Sequence, residues 1–435
     1  MGLVNFRVSD ELKKIAFEKI SELGKTPSDV FKGVMQYIVN NGKLPYQEVV
    51  MSNQDLMAFN HKIVNNSLNQ KLFELFQEER STYQISLSGD TGSGATQGII
   101  SSIEYFISKG SGCLIAHPSI CQSESDMDRL LSTSTLYNRE VKILNLKNLH
   151  VNADSTDHYY NPLRGKSFDN IAFMAMKLSP QSQKHYIDVR ILYKLSLVIS
   201  PKISVSFDGN NRNVSFENLE KWAQAYIEAK TSEADNHKIE LQAANLILEG
   251  CQVITQTSLG TFTNHIGGDD DKYFILEHVF NHSQVGLIES SFDKFDNVVY
   301  SLFKEVFSLD FMLIEYEYGV IKETSSLFVN QANFLIDTHT LSIFLRTARK
   351  SYITSLISIP EVFAYENPEQ HYIQILQLST AIFIFNTHQV KESLNNYYSQ
   401  NFDYLSKYFY KLSINDFAFF SYRNMGQTHV EIIKK

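Results

Sequence analysis

The residues Gly89-Asp90-Thr91-Gly92-Ser93-Gly94-Ala95-Thr96 follow the phosphate-loop pattern G-x-x-x-x-G-K-[ST] at every position except Ala95, which stands where the pattern has lysine. In such a loop the backbone N–H groups and the following helix dipole cradle phosphates, the lysine reaches the β- and γ-phosphates, and the last hydroxyl ligates Mg²⁺. Gly89, Thr91, Gly92, Ser93 and Gly94 are therefore candidate nucleotide-binding residues and Thr96 a candidate Mg²⁺ ligand. The fixed cation is gone. The pattern predicts a scaffold that can hold ATP and Mg²⁺ weakly, with no cofactor required, before it predicts an ATPase.

Such a loop works only between a strand and a helix. Tyr83-Gln84-Ile85-Ser86-Leu87 reads as a strand, and Ile99, Ile100, Ile103, Phe106 and Ile107 recur at helical spacing between Gln97 and Lys109. That order separates the motif from a chance glycine cluster in a surface turn. Farther on, Gly112 to Ala116 reads as a buried strand, Glu124 to Leu136 as a helix and Val141 to Leu146 as an alternating strand, which predicts a parallel α/β sheet. From Ser215 to about Gln252 the pattern turns helical, through Leu219, Trp222, Ala223 and Tyr226 and then Ala243, Ala244, Ile247 and Leu248. Strand-like runs resume at Phe311 to Ile314, Ser326 to Val329, Tyr352 to Ile359 and Ala381 to Phe385, with helices expected from Ala332 and Glu361.

A chain of 435 residues predicts two or three domains and a large buried core. Its net charge of −9 gives no general attraction to nucleic acid, so any DNA contact has to be local. Cys113, Cys121 and Cys251 are odd in number and lack CxxC spacing, which argues for buried thiols in a reducing compartment and against disulfides or a zinc site. The sequence holds no uninterrupted apolar stretch of about 18 residues and no basic-then-apolar start, so a cytoplasmic chain is expected. Candidate breaks lie at Asn40 to Pro45, Asp208 to Asn211 and Gly267 to Asp271.

The first 48 residues carry a separate signal. Val4, Phe6 and Val8 share one face of a short strand, with Asn5 and Arg7 on the other. Ser9 or Asp10 caps a helix to about Leu23, Gly24 ends it, and Thr26-Pro27 open a second helix with the apolar face Val30, Phe31, Val34, Met35 and Ile38. Strand, helix, turn, helix in this order resembles the ribbon-helix-helix family, most closely its RelB/DinJ-type antitoxin branch. The resemblance implies that two chains pair their strands into a ribbon for the major groove, with Asn5 and Arg7 reading bases. Both side chains suit bidentate contacts to purine edges, and Thr26 and Ser28 stand where helix N–H groups can meet a DNA phosphate. The alternative is an exposed edge strand in a unit that only dimerises. Here Lys and Arg (7, 13, 14, 19, 25, 32, 43) barely outnumber Asp and Glu (10, 11, 18, 22, 29, 48), so specificity would have to come from the ribbon.

The larger part resembles the TraG/TraD/DotL-like coupling proteins of conjugation and type IV secretion, within the FtsK/HerA group of RecA-like hexameric motors. The resemblance spans roughly Ser81 to His429. It rests on the glycine loop and its helix, Tyr159-Tyr160-Asn161-Pro162-Leu163, the helical insertion, and the segment from Ser325 to Val362. It implies an α/β fold: a RecA-like P-loop sheet flanked by helices, with an inserted all-helical subdomain and a small N-terminal ribbon-helix-helix domain. The expected division is 1–48 for DNA binding and dimerisation, 49–200 and 301–435 for the two parts of the RecA-like domain, and 201–300 for the insertion.

Where those proteins place Asp-Pro-Lys-Gly or Asp-Gly-Lys-Gly after the second strand, this chain has His117-Pro118-Ser119-Ile120. Where they end a strand in Asp-Glu it has Asn330-Gln331, and Pro360 replaces a polar glutamine. Amides keep the shape of the carboxylates that hold the magnesium shell and activate water, and lose their charge and basicity. Arg349 and Arg346 are candidate trans-acting fingers or plain solvated charges. Lysine to alanine and acid to amide are also changes an experimenter would choose, but His117, Ser119 and Pro360 depart in ways an inactive mutant does not need, which points to natural divergence.

The remaining signals are weaker. His278 and His282 have i, i+4 spacing without the H-E-x-x-H order, so structural histidines are expected. Asp269-Asp270-Asp271 lacks the alternating ligands of a Ca²⁺ loop and reads as a solvated turn. Tyr397, Tyr398, Tyr404, Tyr408, Phe409 and Tyr410 could stack on single strands, though their partly helical spacing fits packing better. The expectation is a DNA-associated oligomer of a conjugative or mobile-element system with a degenerate ATPase domain. The alternatives are a silenced coupling ATPase and an antitoxin-like repressor. Implied partners are double-stranded DNA, further copies in a ribbon dimer or a ring of six, and relaxosome or secretion-channel proteins that would bring the chain to the inner membrane.

Overall fold

The computed structural model describes residues 17, 20, 26, 27, 30, 32, 71, 72, 75, 76, 83–88, 95–121, 123–146, 158–184, 187–233, 235–289, 297–314, 326–331, 336, 338–347, 353–359, 379, 381–385, 417–423 and 427–433. The chain divides into two compact units, Met1–Ala58 and Phe59–Lys435. In the first, Phe17 and Ile20 are helical, as are Pro27, Val30 and Lys32 beyond Gly24. The Val30 N–H donates to the Thr26 carbonyl at 3.1 Å, so Thr26 caps the second helix and Pro27 fills its first position, where no N–H is needed. The expected strand at Val4 to Val8 lies outside the described residues.

The second unit opens with β1 (Gln84–Ser88) and α1 (Ala95–Ser108). Next come β2 (Cys113–Ala116), α2 (Pro118–Cys121), α3 (Glu124–Leu136) and β3 (Val141–Asn145). Ser123 caps α3 by accepting from the Asp126 N–H, and Glu124 and Asp126 sit favourably in the first turn. Helices α4 (Phe168–Lys177), α5 (Pro180–Lys184), α6 (Val189–Ser206), α7 (Phe216–Lys230), α8 (Lys238–Thr255), α9 (Ser258–Thr263) and α10 (Leu276–Asn281) then form a block between β3 and β4 (Val285–Glu289). After β4 come α11 (Asn297–Met312), β5 (Ser326–Gln331), α12 (Thr338–Thr347), β6 (Ile353–Ile359), β7 (Ala381–Phe385), β8 (Phe417–Arg423) and β9 (Gln427–Ile433).

The strands form one sheet in the order β3-β4-β2-β5-β6-β1-β7-β8-β9. Pairing is parallel from β3 to β7, and β8 and β9 add antiparallel at one edge. Two cores sandwich the sheet. Ile99, Ile100, Ile103, Phe106 and Ile107 of α1 pack with Ile85, Leu87, Ile115, Val329 and Leu356 on one face. The helical block, α11 and α12 pack with Leu114, Phe328, Ile353 and Ile357 on the other. The block binds closely to itself: a Cβ on Gly250 of α8 would lie 1.8 Å from the Ala175 carbonyl oxygen of α4, so only glycine allows that approach.

The expected strand at Phe311 to Ile314 is instead the end of α11. Phe303, Phe307 and Phe311 recur every four residues along that helix, and Phe311 packs on Phe328 and Phe344 with ring centroids 4.9 and 4.7 Å apart. A short apolar run has no period of its own, so its neighbours decide between helix and strand.

Candidate nucleotide edge of the sheet

The carboxyl ends of the parallel strands gather the loops that can meet a ligand, and in open α/β sheets that edge is where ligands bind. The chain leaves β1 toward β2 on one side and later crosses from β6 to β7 on the other, so the strand order reverses around β1. Residues 89–94, which include Gly89, Thr91, Gly92, Ser93 and Gly94, lie outside the described residues. α1 begins at Ala95, and Thr96 is half-buried in its first turn.

Strand β6 lies between β1 and β5, and Ser358 is in register with both Leu87 and Gln331. Gln331 is therefore level with the end of β1, two strand spacings or about 10 Å away. Asn330 is in register with Ala116 of β2 and Ile357 of β6. Asn330 and Gln331 thus close β5 at the same sheet edge where β1 ends, and Ala95 opens the helix that follows β1. Arg346 is helical in α12, and Arg349 and Pro360 lie outside the described residues.

His117 follows β2 directly and is only 3% exposed. Its carbonyl accepts from the Ile120 and Cys121 N–H groups at 3.1 and 3.0 Å, which starts α2. Neither ring nitrogen has a hydrogen-bond partner among the described residues. Burial pushes the imidazole down to about 4, so the ring is neutral at physiological pH. The Cys121 thiol, also buried, is pushed up to about 12 and is inert. All three cysteines are free and buried.

The helix that follows the loop is held by an ion pair between a buried carboxylate and a partly exposed arginine. Glu104 of α1 receives both the Nε and one terminal nitrogen of Arg129 from α3, at 2.6 and 2.5 Å, and another nitrogen of Arg129 donates to Gln97 at 3.2 Å. This fork fixes the register of α1 against α3.

Sequence reasoning undervalued the segment Tyr159 to Lys166. Asn161 Nδ2 donates to the carbonyls of Val214 and His265, at 2.8 and 3.0 Å, and its Oδ1 accepts from the Leu163 N–H. Arg164 donates to Asp270 at 2.9 Å and lies over the Tyr273 ring, 3.9 Å from its centroid. Lys166 pairs with Asp310 at 2.8 Å and Glu277 at 3.2 Å, and the Tyr160 hydroxyl donates to Asp310 at 2.8 Å. Burial pulls the Lys166 ammonium down, but the two carboxylates outweigh it and hold it above the ordinary lysine range. The signal was a cluster of polar residues inside an apolar stretch. It locks the helical block to α11 and is fully matched internally.

The structure also places Asp270 and the two histidines of α10. Asp270 is not a solvated charge: Arg164 and Arg212 both pair with it at 2.8 Å. His278 and His282 stack with centroids 4.3 Å apart, and burial, then His282, lowers His278. No group of three His, Cys, Asp or Glu side chains among the described residues could hold a metal ion. Among them, no helix is long and apolar enough to cross a membrane. Asn5, Arg7, Ser28 and the aromatic run from Tyr397 to Tyr410 lie outside the described residues, and Thr26 is exposed.

The sheet order, the glycine loop between β1 and α1, and the inserted helices define an α/β protein with a RecA-like P-loop domain. Its fold is similar to that of the plasmid coupling protein TrwB in complex with ADP and Mg²⁺, with a TM-score of 0.51 and 10% identity, covering 84% of this chain and 91% of that one. TrwB with a non-hydrolysable ATP analogue is similar at a TM-score of 0.50, with 10% identity and the same coverage of 84% and 91%. At the N-terminus the RelB antitoxin family matches residues 1–72. Antitoxin RelB of Escherichia coli (strain K12) is 34% identical over 55 residues, which span 13% of this chain and 70% of that protein. By that segment the chain belongs to the RelB antitoxin family, and it fuses the antitoxin segment to a coupling-protein fold.

Proposed function

We propose that this protein is a cytoplasmic, DNA-associated oligomer of a conjugative or mobile-element system, with an N-terminal DNA reader and a P-loop domain that holds nucleotide without turning it over. The observation that carries the second half is the content of the sheet edge. Ala95, Asn330 and Gln331 occupy it where phosphate-loop motors keep a lysine and two carboxylates. Removal of one preorganised charge-stabilising group costs about 10²- to 10³-fold in rate, so the loss of three leaves no useful hydrolysis. The glycines of 89–94 and Thr96 still offer amides and a hydroxyl for phosphate and Mg²⁺. TrwB, whose fold is similar, is described in complex with ADP and Mg²⁺, which supports nucleotide binding here.

In this reading Asn5 and Arg7 contact bases, and Thr26 and Ser28 contact phosphates, from a ribbon shared by two chains of 1–48. The P-loop domain is built around the helical block that lies between β3 and β4, in place of the 201–300 insertion expected from the sequence. Three ribbons on a ring of six reconcile dimer and hexamer, and relaxosome or secretion-channel proteins are the partners that fit. The test is retardation of fragments from the gene's own upstream region or plasmid at stated salt, beside Asn5→Ala/Arg7→Ala. Sequence-specific binding that weakens at least about tenfold in the variant is expected, since bidentate base contacts discriminate by about 1–3 kcal/mol each. Binding untouched by the variant, or none, overturns the reader.

A second reading follows from the family match, which runs to residue 72, beyond the first 48. In that reading the chain is an antitoxin-like repressor that captures a toxin. A toxin-sized reading frame beside the gene, whose product co-purifies with the full chain, would favour it.

A further inference from the structure

Helix α6 buries one side and leaves the other apolar. Leu192, Leu195, Ile199 and Ile203 belong to the core of the helical block. On the rest of the helix Ile191, Tyr193, Leu197, Val198 and Val205 are 42–78% exposed. A surface helix ordinarily turns polar residues to water, and clustered exposed apolar side chains mark a surface that something covers. At 3.6 residues per turn, Arg190, Lys194, Leu197, Val198, Pro201 and Val205 fall on one stripe opposite the core, about 23 Å long.

The charges of this face have one sign. Arg190, Lys194 and Lys202 are exposed, α6 contains no carboxylate, and Asp188 and Asp208 lie beyond its two ends. Glu240, the carboxylate that α8 brings to this side, is held by Lys202, His237 and the Tyr226 hydroxyl. The chain as a whole carries −9, so the face is a local exception. Rings with a polar tip flank the stripe: Tyr193 near its start, and beside its end Trp222, whose indole N–H donates to Ser206 Oγ at 2.9 Å.

This mixture selects the occupant. The buried centre of a protein–protein interface is depleted of charge, whereas two cations stand inside this apolar stripe. A second copy of α6 would set cations against cations. An anionic bilayer surface suits every part. Apolar side chains enter the boundary between headgroups and acyl chains, the stems of Arg and Lys lie along it with their charges at the phosphates, and Tyr and Trp sit at headgroup depth.

We propose that the outer face of α6 is a docking surface for a bilayer rich in anionic phospholipid, with the helix lying in the plane of the membrane surface. This goes beyond the DNA and nucleotide readings and rests on neither.

The test is flotation of the full chain with vesicles of equal parts phosphatidylglycerol and phosphatidylcholine, and with vesicles of phosphatidylcholine alone. Binding to the anionic vesicles is expected, with little to the neutral ones. Arg190→Gln/Lys194→Gln weakens it about 30-fold, at about fivefold per cation, and Leu197→Ser/Val198→Ser weakens it at least about tenfold. All four positions are exposed, so these variants should melt with the native chain. Lys221→Gln, which removes the exposed cation of the α7 pair with Glu217, changes binding less than about twofold. No flotation with the anionic vesicles, or flotation that the α6 variants leave intact, overturns the proposal. In a chain that ignores the vesicles, an oligomer that Leu197→Ser/Val198→Ser dissociates would make the face a protein interface instead.

Discussion

The helical block and the edge of the sheet treat buried polar groups in opposite ways. In the block, Asn161, Arg164, Lys166 and Asp310 all have direct partners at 2.8–3.3 Å. At the edge His117 has none among the described residues. A matched network rigidifies a framework, whereas an unmatched group costs stability until a ligand satisfies it.

Breaking the framework should have the largest effect. Lys166→Met leaves Asp310 buried with the Tyr160 hydroxyl, and a loss of about 3–5 kcal/mol in chemical denaturation is expected. The double variant Lys166→Met/Asp310→Leu should recover much of it, because removing both charges also removes their desolvation penalty.

At the edge, acid should do what mutation does in the block. His117 is held at about 4 when folded against about 6.5 in the open chain, so the unfolded state takes up the proton first as pH falls. This contribution is absent above about pH 6.5. Stability then declines toward pH 4 by about 3 kcal/mol and levels off below it, at roughly 1.4 kcal/mol per unit of separation. Denaturation curves of His117→Gln should lack that part of the decline.

Two smaller effects sharpen the contrast. Gly250→Ala drives a methyl into the Ala175 carbonyl and should cost about 1–3 kcal/mol through displacement of α8 from α4, seen as a lower Tm. The exposed Lys221 and Glu217 pair at 2.6 Å should matter little, with Lys221→Ala costing about 0.3–0.5 kcal/mol.

Much of the sheet was legible because strand and helix signals were strong and local. The helix at Glu124–Leu136 matches its expected limits, set by Ser123 as cap, and the strands at Ala381–Phe385 and Ser326 onward were likewise visible. Strand β4 was not, since Val285–Glu289 is short and contains Gly286, a residue disfavoured in strands, which is kept because neighbouring side chains leave little room for a Cβ. The antiparallel pair β8 and β9 also escaped, since nothing in a single strand reveals its partner. The glycine pattern at 89–94 and the residues at 95, 330 and 331 are readings of the sequence, and the loop lies outside the described residues. The burial of His117 could not be read there, because burial is a property of three dimensions.

The most direct measurement is the fate of a bound nucleotide. The purified full chain is held with labelled ATP and Mg²⁺ in equilibrium dialysis, and the nucleotide on the protein side is identified after hours at 25 °C. The account expects labelled nucleotide in excess on that side and recovered as ATP, with Ala95→Lys/Asn330→Asp/Gln331→Glu as the variant in which ADP appears. Recovery of ADP from the native chain at a steady turnover would contradict it.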